Sequence, residues 1–301
     1  MWTPDQTLDQ PGPEPTTLGW NYEEAFARHQ GLLTKADQVR LRQARVAIAG
    51  LGGVGGIHLA TLARLGIGAF HIADPDSFEI ANINRQFGAS AKTMGRGKTE
   101  VMAETATAIN PEIDLRVFNE AINADNVGDF LDGVDVVVDG IDFFAIEARR
   151  LLFKEAKARS QWVVTAGPLG FSTAWLAFSP DGMSFDKYFD LNDSMAYWEQ
   201  IISFAVGLTP KATHLQYTDL KGVNSKSTRG PSAALACHLC SGVVAAKVIK
   251  ILLGRTPIRA APYYFQFDAY RGILRQGRLR WGNRHPLQRL KRWFLKRRLG
   301  I

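Results

Sequence analysis

The segment "RVAIAGLGGVGGIHLATLARLG", residues 45–66, decides the fold. Its first six residues form an apolar run with the length and composition of a buried strand, and residues 54–66 form an apolar helical pattern that stops at a glycine. Between them, GLGGVG fits the pattern G-x-G-x-x-G with Gly50, Gly52 and Gly55. A glycine turn between a strand and a helix predicts a site where the amino end of the helix faces a phosphate or a ribose.

Strands and helices alternate along the chain after this unit. Further strands are predicted at 69–74, 113–119, 134–140 and 161–167, and helices at 97–109, 123–132 and 143–159. This alternation predicts an α/β fold with a doubly wound, mostly parallel, Rossmann-like sheet. Beyond it we expect an antiparallel extension from 172–180, irregular structure over 181–230, a buried helix at 234–254 and two strands around a turn within 262–280.

The composition narrows the broad class of protein. Of the 301 residues, 46% are apolar, so the chain can bury a full core and wholesale disorder is not expected. Only two cysteines occur and no apolar signal segment stands at the amino end, which together predict a cytoplasmic protein. The net charge of +7 is local: residues 275–301 hold ten Lys and Arg and no acid, which leaves 26 basic against 29 acidic residues elsewhere. The fold as a whole is therefore not expected to bind nucleic acid.

An acid followed by amide and basic side chains comes after the second strand, in "DPDSFEIANINRQFG". Asp74 ends that strand, where its carboxylate can accept hydrogen bonds from ribose hydroxyls. Three polar residues come next: Asn82, Asn84 and Arg85. Lys98 then opens a helix, where a positive charge is unfavourable to the helix dipole unless an anion offsets it. Arginine and lysine together suit a triphosphate, although a solvated lysine and a turn that binds nothing are the alternatives.

A second acidic motif, "VVVDGIDFF", carries Asp139 and Asp142 at the end of another strand. The carboxyl ends of parallel strands border the ligand crevice in a doubly wound sheet. Magnesium prefers oxygen ligands and keeps waters and phosphate oxygens around it, so Asp142 is the predicted metal ligand. The alternative is that this acid caps the helix predicted from residue 143.

These motifs resemble those of the ubiquitin-activating-enzyme-like adenylyltransferases, whose bacterial members include ThiF, MoeB and HesA. The resemblance covers residues 22–180 well and 230–254 weakly, and lies in "RVAIAGLGGVGG", "IADPDSFEIANINRQ", "GRGKTEVMAETATAINP", "VVVDGIDFFAIEARRLL" and "VVTAGPLG". It implies an enzyme that binds ATP and Mg²⁺. Such an enzyme activates the carboxyl-terminal glycine of a ubiquitin-like protein, a sulfur-carrier protein or a peptide as an acyl-adenylate.

The resemblance also implies roles for single residues. The implied nucleotide-binding residues are Gly50, Gly52, Gly53, Gly55, Asp74, Asp76, Asn82, Asn84, Arg85, Lys98 and Asp142. Three of them would act in catalysis, namely Arg85, Lys98 and Asp142, and Asp142 would also bind magnesium. Family dimers add an arginine from the amino-terminal helix of the other subunit. "FARHQ" resembles that element, so Arg28 is the fourth implied catalytic residue, and it would act on the site of the other subunit in a homodimer.

The sequence departs from the family pattern at three points. Phe143 stands where the family commonly has an asparagine after the metal-binding acid. Cys237 and Cys240 form one C-x-x-C pair, whereas the family's zinc site uses two pairs, so both cysteines are predicted to be core residues. Residues 181–230 contain no cysteine, so a thioester step is not expected and the acyl-adenylate would pass to a separate acceptor.

We divide the chain into a flexible segment (1–20), an adenylation domain (21–272) and a basic amphipathic tail (273–301). In the tail, four apolar residues recur at helical spacing among basic ones: Leu287, Leu290, Trp293 and Phe294. This pattern suits an anionic membrane surface, an acidic protein or nucleic acid, or an apolar stripe that docks on the protein itself or on its dimer mate.

Two other functions fit parts of the pattern. The glycine turn and its acid also suit a dinucleotide-dependent oxidoreductase, which has no need of the cations at 85 and 98. A non-catalytic nucleotide-binding homologue would keep the fold and lose the chemistry. His58 and His71 fall on core elements and are expected to be buried and hydrogen-bonded rather than catalytic.

Overall fold

The computed structural model describes residues 19–218 and 230–299, where the backbone forms one eight-stranded sheet with helices on both faces. The strands are β1 (Arg45–Ala49), β2 (Ala69–Ala73), β3 (Asp114–Phe118), β4 (Val136–Asp139), β5 (Trp162–Leu169), β6 (Ser172–Phe178), β7 (Tyr263–Asp268) and β8 (Ile273–Arg278). The α-helices of these ranges are α1 (Tyr22–Ala25), α2 (Lys35–Gln43), α3 (Gly55–Arg64), α4 (Lys98–Ile109), α5 (Val127–Leu131), α6 (Ile146–Ala158), α7 (Phe185–Phe189), α8 (Tyr197–Leu208), α9 (Ala234–Leu252) and α10 (Pro286–Leu299). Residues 1–18 of the predicted flexible segment lie outside the described residues.

The strand order is β3-β2-β1-β4-β5-β6-β7-β8. The pairs from β3 to β5 are parallel, and the pairs from β5 to β8 are antiparallel. The predicted doubly wound, mostly parallel sheet with an antiparallel extension is therefore confirmed. The chain runs outward from β1 to β2 and β3, then returns to place β4 on the other side of β1. In such sheets ligands bind at this reversal, outside the carboxyl ends of the strands.

The central strands are largely apolar because helices cover both faces of the sheet. In β1, Val46 and Ile48 belong to a core that also contains residues of α3, α4 and α9, whereas Ala47 and Ala49 belong to a second core with residues of α5, α6 and α8. All four of these β1 residues are fully buried. Alternate residues of β1 thus pack against the helices on opposite faces of the sheet.

Helix α9 is the 19-residue helix that packs on β4, β5, β6 and α3. Its length and apolar composition would also suit a membrane span. However, Cys240, Val244 and Val248 are buried in the same core as Ile48 of β1, as expected for a core helix. The prediction of a buried helix in this region is confirmed, and both cysteines lie in it, buried and unbridged.

The prediction of irregular structure over 181–230 is wrong for much of that range, since α7 and α8 both fall within it. Helix α7 begins at Ser184, whose hydroxyl accepts a hydrogen bond from the N–H of Lys187. Helix α8 is buried over most of its length, and its polar residues Ser203 and Glu199 bond to side chains of α10, far along the chain. Residues 219–229, which the same prediction covers, lie outside the described residues.

The boundary drawn after residue 272 falls inside the sheet. Strand β8 pairs with β7 along its whole length, from Ile273 opposite Asp268 to Arg278 opposite Tyr263. The basic residues Arg275 and Arg278 therefore belong to the edge of the sheet rather than to a separate tail. The amphipathic helix itself is α10.

Burial of His58 links the stability of the fold to pH. His58 lies in α3 with 1% of its surface exposed, and neither ring nitrogen has a hydrogen-bond partner within the described ranges. The Nδ1 of His71, by contrast, lies 2.8 Å from the carbonyl oxygen of Phe130, so the expected hydrogen bonding holds for His71 only. Burial lowers the pKa of His58 from 6.5 to about 3.

We expect the free energy of unfolding to fall as the pH falls below 6.5, because the unfolded chain then binds a proton that the folded chain excludes until about pH 3. The loss approaches about 1.4 kcal/mol per pH unit. His58→Leu should remove this part of the pH dependence, as urea unfolding on both sides of the histidine's ordinary pKa would measure. His238→Leu, which changes an exposed histidine of α9, is the matched control. Equal pH slopes for the parent and His58→Leu would contradict the expectation.

Candidate active site

The glycine turn between β1 and α3 places the backbones of three glycines in contact. Gly50 has φ +84°, and a Cβ atom there would lie 2.4 Å from the carbonyl oxygen of Gly140, at the end of β4. A Cβ atom at Gly55 would lie 1.7 Å from the carbonyl oxygen of Gly50. Only glycine fits at these positions, so β1, β4 and the start of α3 converge at one point.

Gly52 and Gly53 have a different environment. The nearest atoms to a Cβ at Gly52 belong to the Gln86 side chain, 3.7 Å away. At Gly53 they are the Sγ of Cys237 at 3.6 Å and the Nε of Arg85 at 4.0 Å. These two glycines are not required by packing, and their backbone faces the side chains of the predicted site.

Asp74 is fixed under the turn. One of its carboxylate oxygens accepts a hydrogen bond of 2.7 Å from the N–H of Leu51, and the other accepts one of 2.9 Å from the N–H of Asp76. Burial raises the pKa of Asp74, and the neighbouring Lys98 acts in the opposite direction. Its carboxylate therefore orders the glycine turn, while each oxygen keeps capacity for a further hydrogen bond.

Lys98 is a buried cation at the amino end of α4, with 5% of its surface exposed. Its Nζ lies 2.7 Å from the carboxylate of Asp76 and 3.6 Å from that of Asp74. These two acids offset both its desolvation and the unfavourable helix dipole. The side chain of Asp76 is 63% exposed, so a ligand anion can approach Lys98 from that side.

The segment that carries Asn82, Asn84 and Arg85 lies against the glycine turn through Arg85. The Nη1 of Arg85 donates to the carbonyl of Ala81 and to the side-chain oxygen of Asn84, and its Nε faces Gly53. The Nδ2 of Asn84 donates to the carbonyl of Ser232, just ahead of α9. Asn82 accepts a hydrogen bond from the N–H of Glu79 and so closes a local turn. Of the three side chains, Arg85 has the geometry to meet a ligand at the turn.

Asp142 lies in the loop after β4, two residues beyond the glycine that touches Gly50. It is exposed, and its Oδ1 accepts a hydrogen bond from the N–H of Phe144. Asp139, by contrast, is 2% exposed and is bonded to Arg149 and Thr165. Within the described ranges, no group of three or more His, Cys, Asp or Glu side chains could hold a metal. Asp142 is thus the exposed acid of the two and Asp139 the buried one, and magnesium binding at Asp142 stays a prediction.

Arg149 of α6 holds the loop that carries Asp142. Its guanidinium pairs with Asp139 at 2.8 Å and donates to the carbonyls of Ile141 and Phe143 on either side of Asp142. Phe143 packs against Phe144 and Phe204 instead of facing the crevice. The residue that replaces the family's asparagine thus anchors the loop to α8.

Arg28 lies near the amino ends of the strands, whereas the glycine turn lies at their carboxyl ends. It belongs to a short 3₁₀ turn, Ala27–His29, which follows α1. Tyr22 of α1 donates to the carbonyl of Gly66, and His29 contacts Gln38, which also bonds Leu65. Gly66 leads into the amino end of β2, so this element is remote from the glycine turn of its own chain. A role for Arg28 in the site stays a prediction that requires a second subunit.

Sequence reasoning missed two residues of this site. Gln86 is 7% exposed, borders Gly52, and has a buried Oε1 without a partner within the described residues. Its signal was its place directly after Arg85. Arg149 lies ten residues beyond Asp139, and no local pattern indicates that it reaches back to the loop.

Comparison with known proteins gives a family and a fold. The model of the ThiF family matches residues 26–289. The tRNA threonylcarbamoyladenosine dehydratase of Haemophilus influenzae is 38% identical over 154 residues, which are 51% of this chain and 58% of that protein. The sulfur carrier protein ThiS adenylyltransferase of Escherichia coli is 29% identical over 143 residues, 48% and 56% of the two chains. The chain thus spans somewhat over half the length of these curated relatives.

A solved structure has the same fold. Escherichia coli MccB with ATP aligns with a TM-score of 0.62 at 20% identity, covering 86% of this chain and 71% of MccB. At this level of identity the alignment shows a shared architecture.

Replacing Gly55 with alanine should destabilise the protein strongly, because its Cβ cannot coexist with the Gly50 carbonyl 1.7 Å away. We expect a loss of about 3 kcal/mol or more in the free energy of unfolding, measured by urea denaturation. Gly52→Ala is the matched control and should cost within about 0.5 kcal/mol, since its nearest neighbour is 3.7 Å away. Similar losses in both variants would show that the turn does not depend on this contact.

Proposed function

The chain belongs to the ThiF family, and from this premise we propose that it is an ATP-dependent adenylyltransferase that activates a carboxylate as an acyl-adenylate. The observation that carries the proposal is the buried Lys98 beside the glycine turn, with Arg85 on the other side of that turn. Two cations near the amino end of a helix suit a triphosphate. A dinucleotide-dependent oxidoreductase has no triphosphate for the cations at 85 and 98 to neutralise.

The proposed reaction is one displacement at phosphorus. A carboxylate oxygen of the substrate attacks the α-phosphorus of ATP, the bond from that phosphorus to the bridging oxygen breaks, and pyrophosphate leaves with the electron pair. No proton transfer is required. Arg85 would stabilise the negative charge on the α-phosphate, and Lys98 would bind the departing phosphates after exchanging Asp76 for them. Asp74 would bind the ribose while it holds the N–H of Leu51.

Magnesium would bind at Asp142 and, when bound, would neutralise phosphate charge. Arg149 fixes the two carbonyls that flank Asp142, so the loop presents its carboxylate in one orientation. Arg149 neutralises Asp139. Asp139 therefore does not add to the negative charge of Asp142, which would repel ATP.

The acyl-adenylate would be the end product of this chain's own chemistry. Both of its cysteines, Cys237 and Cys240, are buried in α9, and burial raises the pKa of each thiol. A thiol held protonated is a poor nucleophile, so neither suits a thioester step. A separate acceptor would therefore take the activated acyl group.

Two classes of carboxylate are candidate substrates. One is the carboxyl terminus of a ubiquitin-like protein, a sulfur-carrier protein or a peptide, as the similarity to the ThiS adenylyltransferase supports. The other is a carboxyl group on a modified tRNA base, which the similarity to the threonylcarbamoyladenosine dehydratase supports. A cytoplasmic location, which the two unbridged cysteines support, suits either class.

We include a homodimer in the proposal because Arg28 is remote from the site of its own chain. Apolar side chains are exposed beside the site, at Ile80 (79%), Ile83 (50%) and Leu235 (47%). A second copy that covers this patch would account for their exposure. It would also be the source of Arg28.

Arg85→Ala and Asp142→Asn should each lower ATP–pyrophosphate exchange by at least about a hundredfold, because each removes a group that neutralises phosphate charge. Exchange would be measured with a sulfur-carrier protein and with threonylcarbamoyladenosine-containing tRNA, and the active one identifies the substrate class. Arg96→Ala is the control, since Arg96 precedes α4 and pairs with the exposed side chains of Glu100 and Glu104. Stabilisation by ATP in a thermal melt without exchange on any carboxylate would favour a non-catalytic homologue. Protection by NAD alone would favour an oxidoreductase.

Mixing two inactive variants tests the dimer. In a heterodimer of Arg28→Ala and Arg85→Ala subunits, one of the two sites receives both arginines. After random exchange of subunits, about a quarter of parental exchange activity should return. Activity that stays at the level of the separate variants would refute a contribution of Arg28 across subunits. Arg64→Ala mixed with Arg85→Ala is the control. The activity of this mixture should not exceed what the Arg64→Ala subunits supply by themselves.

A further inference from the structure

Helix α10 docks on the protein through its polar side. Gln288 is 2% exposed and donates to the carbonyl of Val206 at 2.9 Å. Arg292 pairs with Asp190 at 2.6 Å and donates to the hydroxyl of Ser203, and Lys296 pairs with Glu199 of α8. These three residues are spaced by four, so they occupy one face of the helix. Polar bonds therefore fix how the helix is turned.

The opposite face of α10 is an apolar stripe formed by Leu287, Leu290, Trp293 and Phe294. Their exposed fractions are 62%, 59%, 55% and 57%. At about 100° per residue, the centre of this stripe lies roughly half a turn from the docked face. The alternative that the stripe docks on its own chain is therefore wrong, and docking on a dimer mate stays a prediction. Rotating the stripe inward would break both ion pairs, so the apolar face is held outward.

Basic side chains border this stripe on both sides. Arg289 lies along one flank and Arg298 along the other, and both are exposed. Arg297 lies over the ring of Trp293, with its guanidinium carbon 5.6 Å from the ring centre. No acid occurs in residues 275–301, so the exposed surface of the helix carries charge of one sign.

We propose that the apolar stripe binds the surface of an anionic lipid bilayer, with α10 lying in the plane of the interface. Leucine, tryptophan and phenylalanine would enter the boundary between headgroups and acyl chains, and the flanking arginines would meet lipid phosphates. This proposal does not rest on the adenylyltransferase function.

Charge favours a bilayer over a second copy. A symmetric dimer through this face would bring two basic helices together with no acid in either segment, so like charges would repel across the interface. The stripe is also convex, since it is one side of a single helix that stands on the protein surface. A fluid interface accommodates four bulky side chains on a convex surface more readily than a partner protein without a groove.

The test is sedimentation of the full chain with vesicles of phosphatidylcholine, with and without phosphatidylglycerol. We expect binding to the anionic vesicles that weakens with added salt. Leu290→Gln with Trp293→Gln should lower the partition coefficient at least about tenfold by removing two inserted side chains. Arg289→Glu with Arg298→Glu should lower it at least as much. Leu32→Gln with Val39→Gln, which changes two exposed apolar residues far from α10, should leave it unchanged.

The proposal is wrong if the parent chain does not sediment with anionic vesicles, or if the two α10 variants sediment as the parent does. Alternatively, light scattering could find that the stripe variant dissociates an oligomer while vesicle binding persists, which would identify an interface between copies. Binding to an acidic polypeptide such as polyglutamate, without binding to anionic vesicles, would instead identify an acidic protein partner. Because all four substituted positions are exposed, thermal melts should match the parent.

Discussion

The structure depends on a contact between two backbones, at the end of β1 and the end of β4. Gly50 and Gly140 approach so closely that a Cβ atom on either would lie within 2.5 Å of the other's carbonyl oxygen. This contact brings the two strands together where the chain order reverses, and it lets the glycine turn enter α3 without a side chain between them. On one side of the contact Asp74 holds the N–H of Leu51, and on the other Asp142 follows Gly140 by two residues. The geometry of the candidate site thus depends on the lack of a side chain at Gly50 and Gly140.

Two ion pairs beside this contact differ in burial, and burial separates their roles. Asp139 and Arg149 are buried on both sides, with side-chain exposures of 1% and 4%. A buried pair of this kind is costly to open and serves to fix the loop around Asp142. Lys98 is equally buried, but Asp76, its partner, is 63% exposed. Solvent thus reaches the acid of the second pair but not that of the first, as the proposed role of Lys98 in phosphate binding requires.

The sequence carried enough information to predict most of the fold and part of the site. Strands and helices with a clear period, together with the glycine turn and its acids, were predicted close to their observed bounds. Helix α8 was missed although it is amphipathic, and the side chains that pair with its polar residues Ser203 and Glu199 come from α10, far along the chain. The contact between Gly50 and Gly140 was not predicted because the two residues are far apart in the chain, and Arg149 was missed because no local pattern indicates that a residue of α6 reaches back to the loop before it. The orientation of α10 was open for the same reason: its apolar stripe argued for docking inward, while Asp190, Ser203 and Glu199, which hold its polar face, are about ninety to a hundred residues away.

The two ends of the sheet limit how the protein meets other molecules of its kind. Within the described chain, β3 and β8 are the outermost strands, and each leaves backbone groups on one side without a neighbouring strand. Asp114 and Arg116 stand on β3, and Arg275 and Arg278 on β8, all of them exposed. A strand added from another molecule would have to crowd or desolvate these charges. The same residues that finish the sheet thus protect the protein from polymerising edge to edge into amyloid-like aggregates.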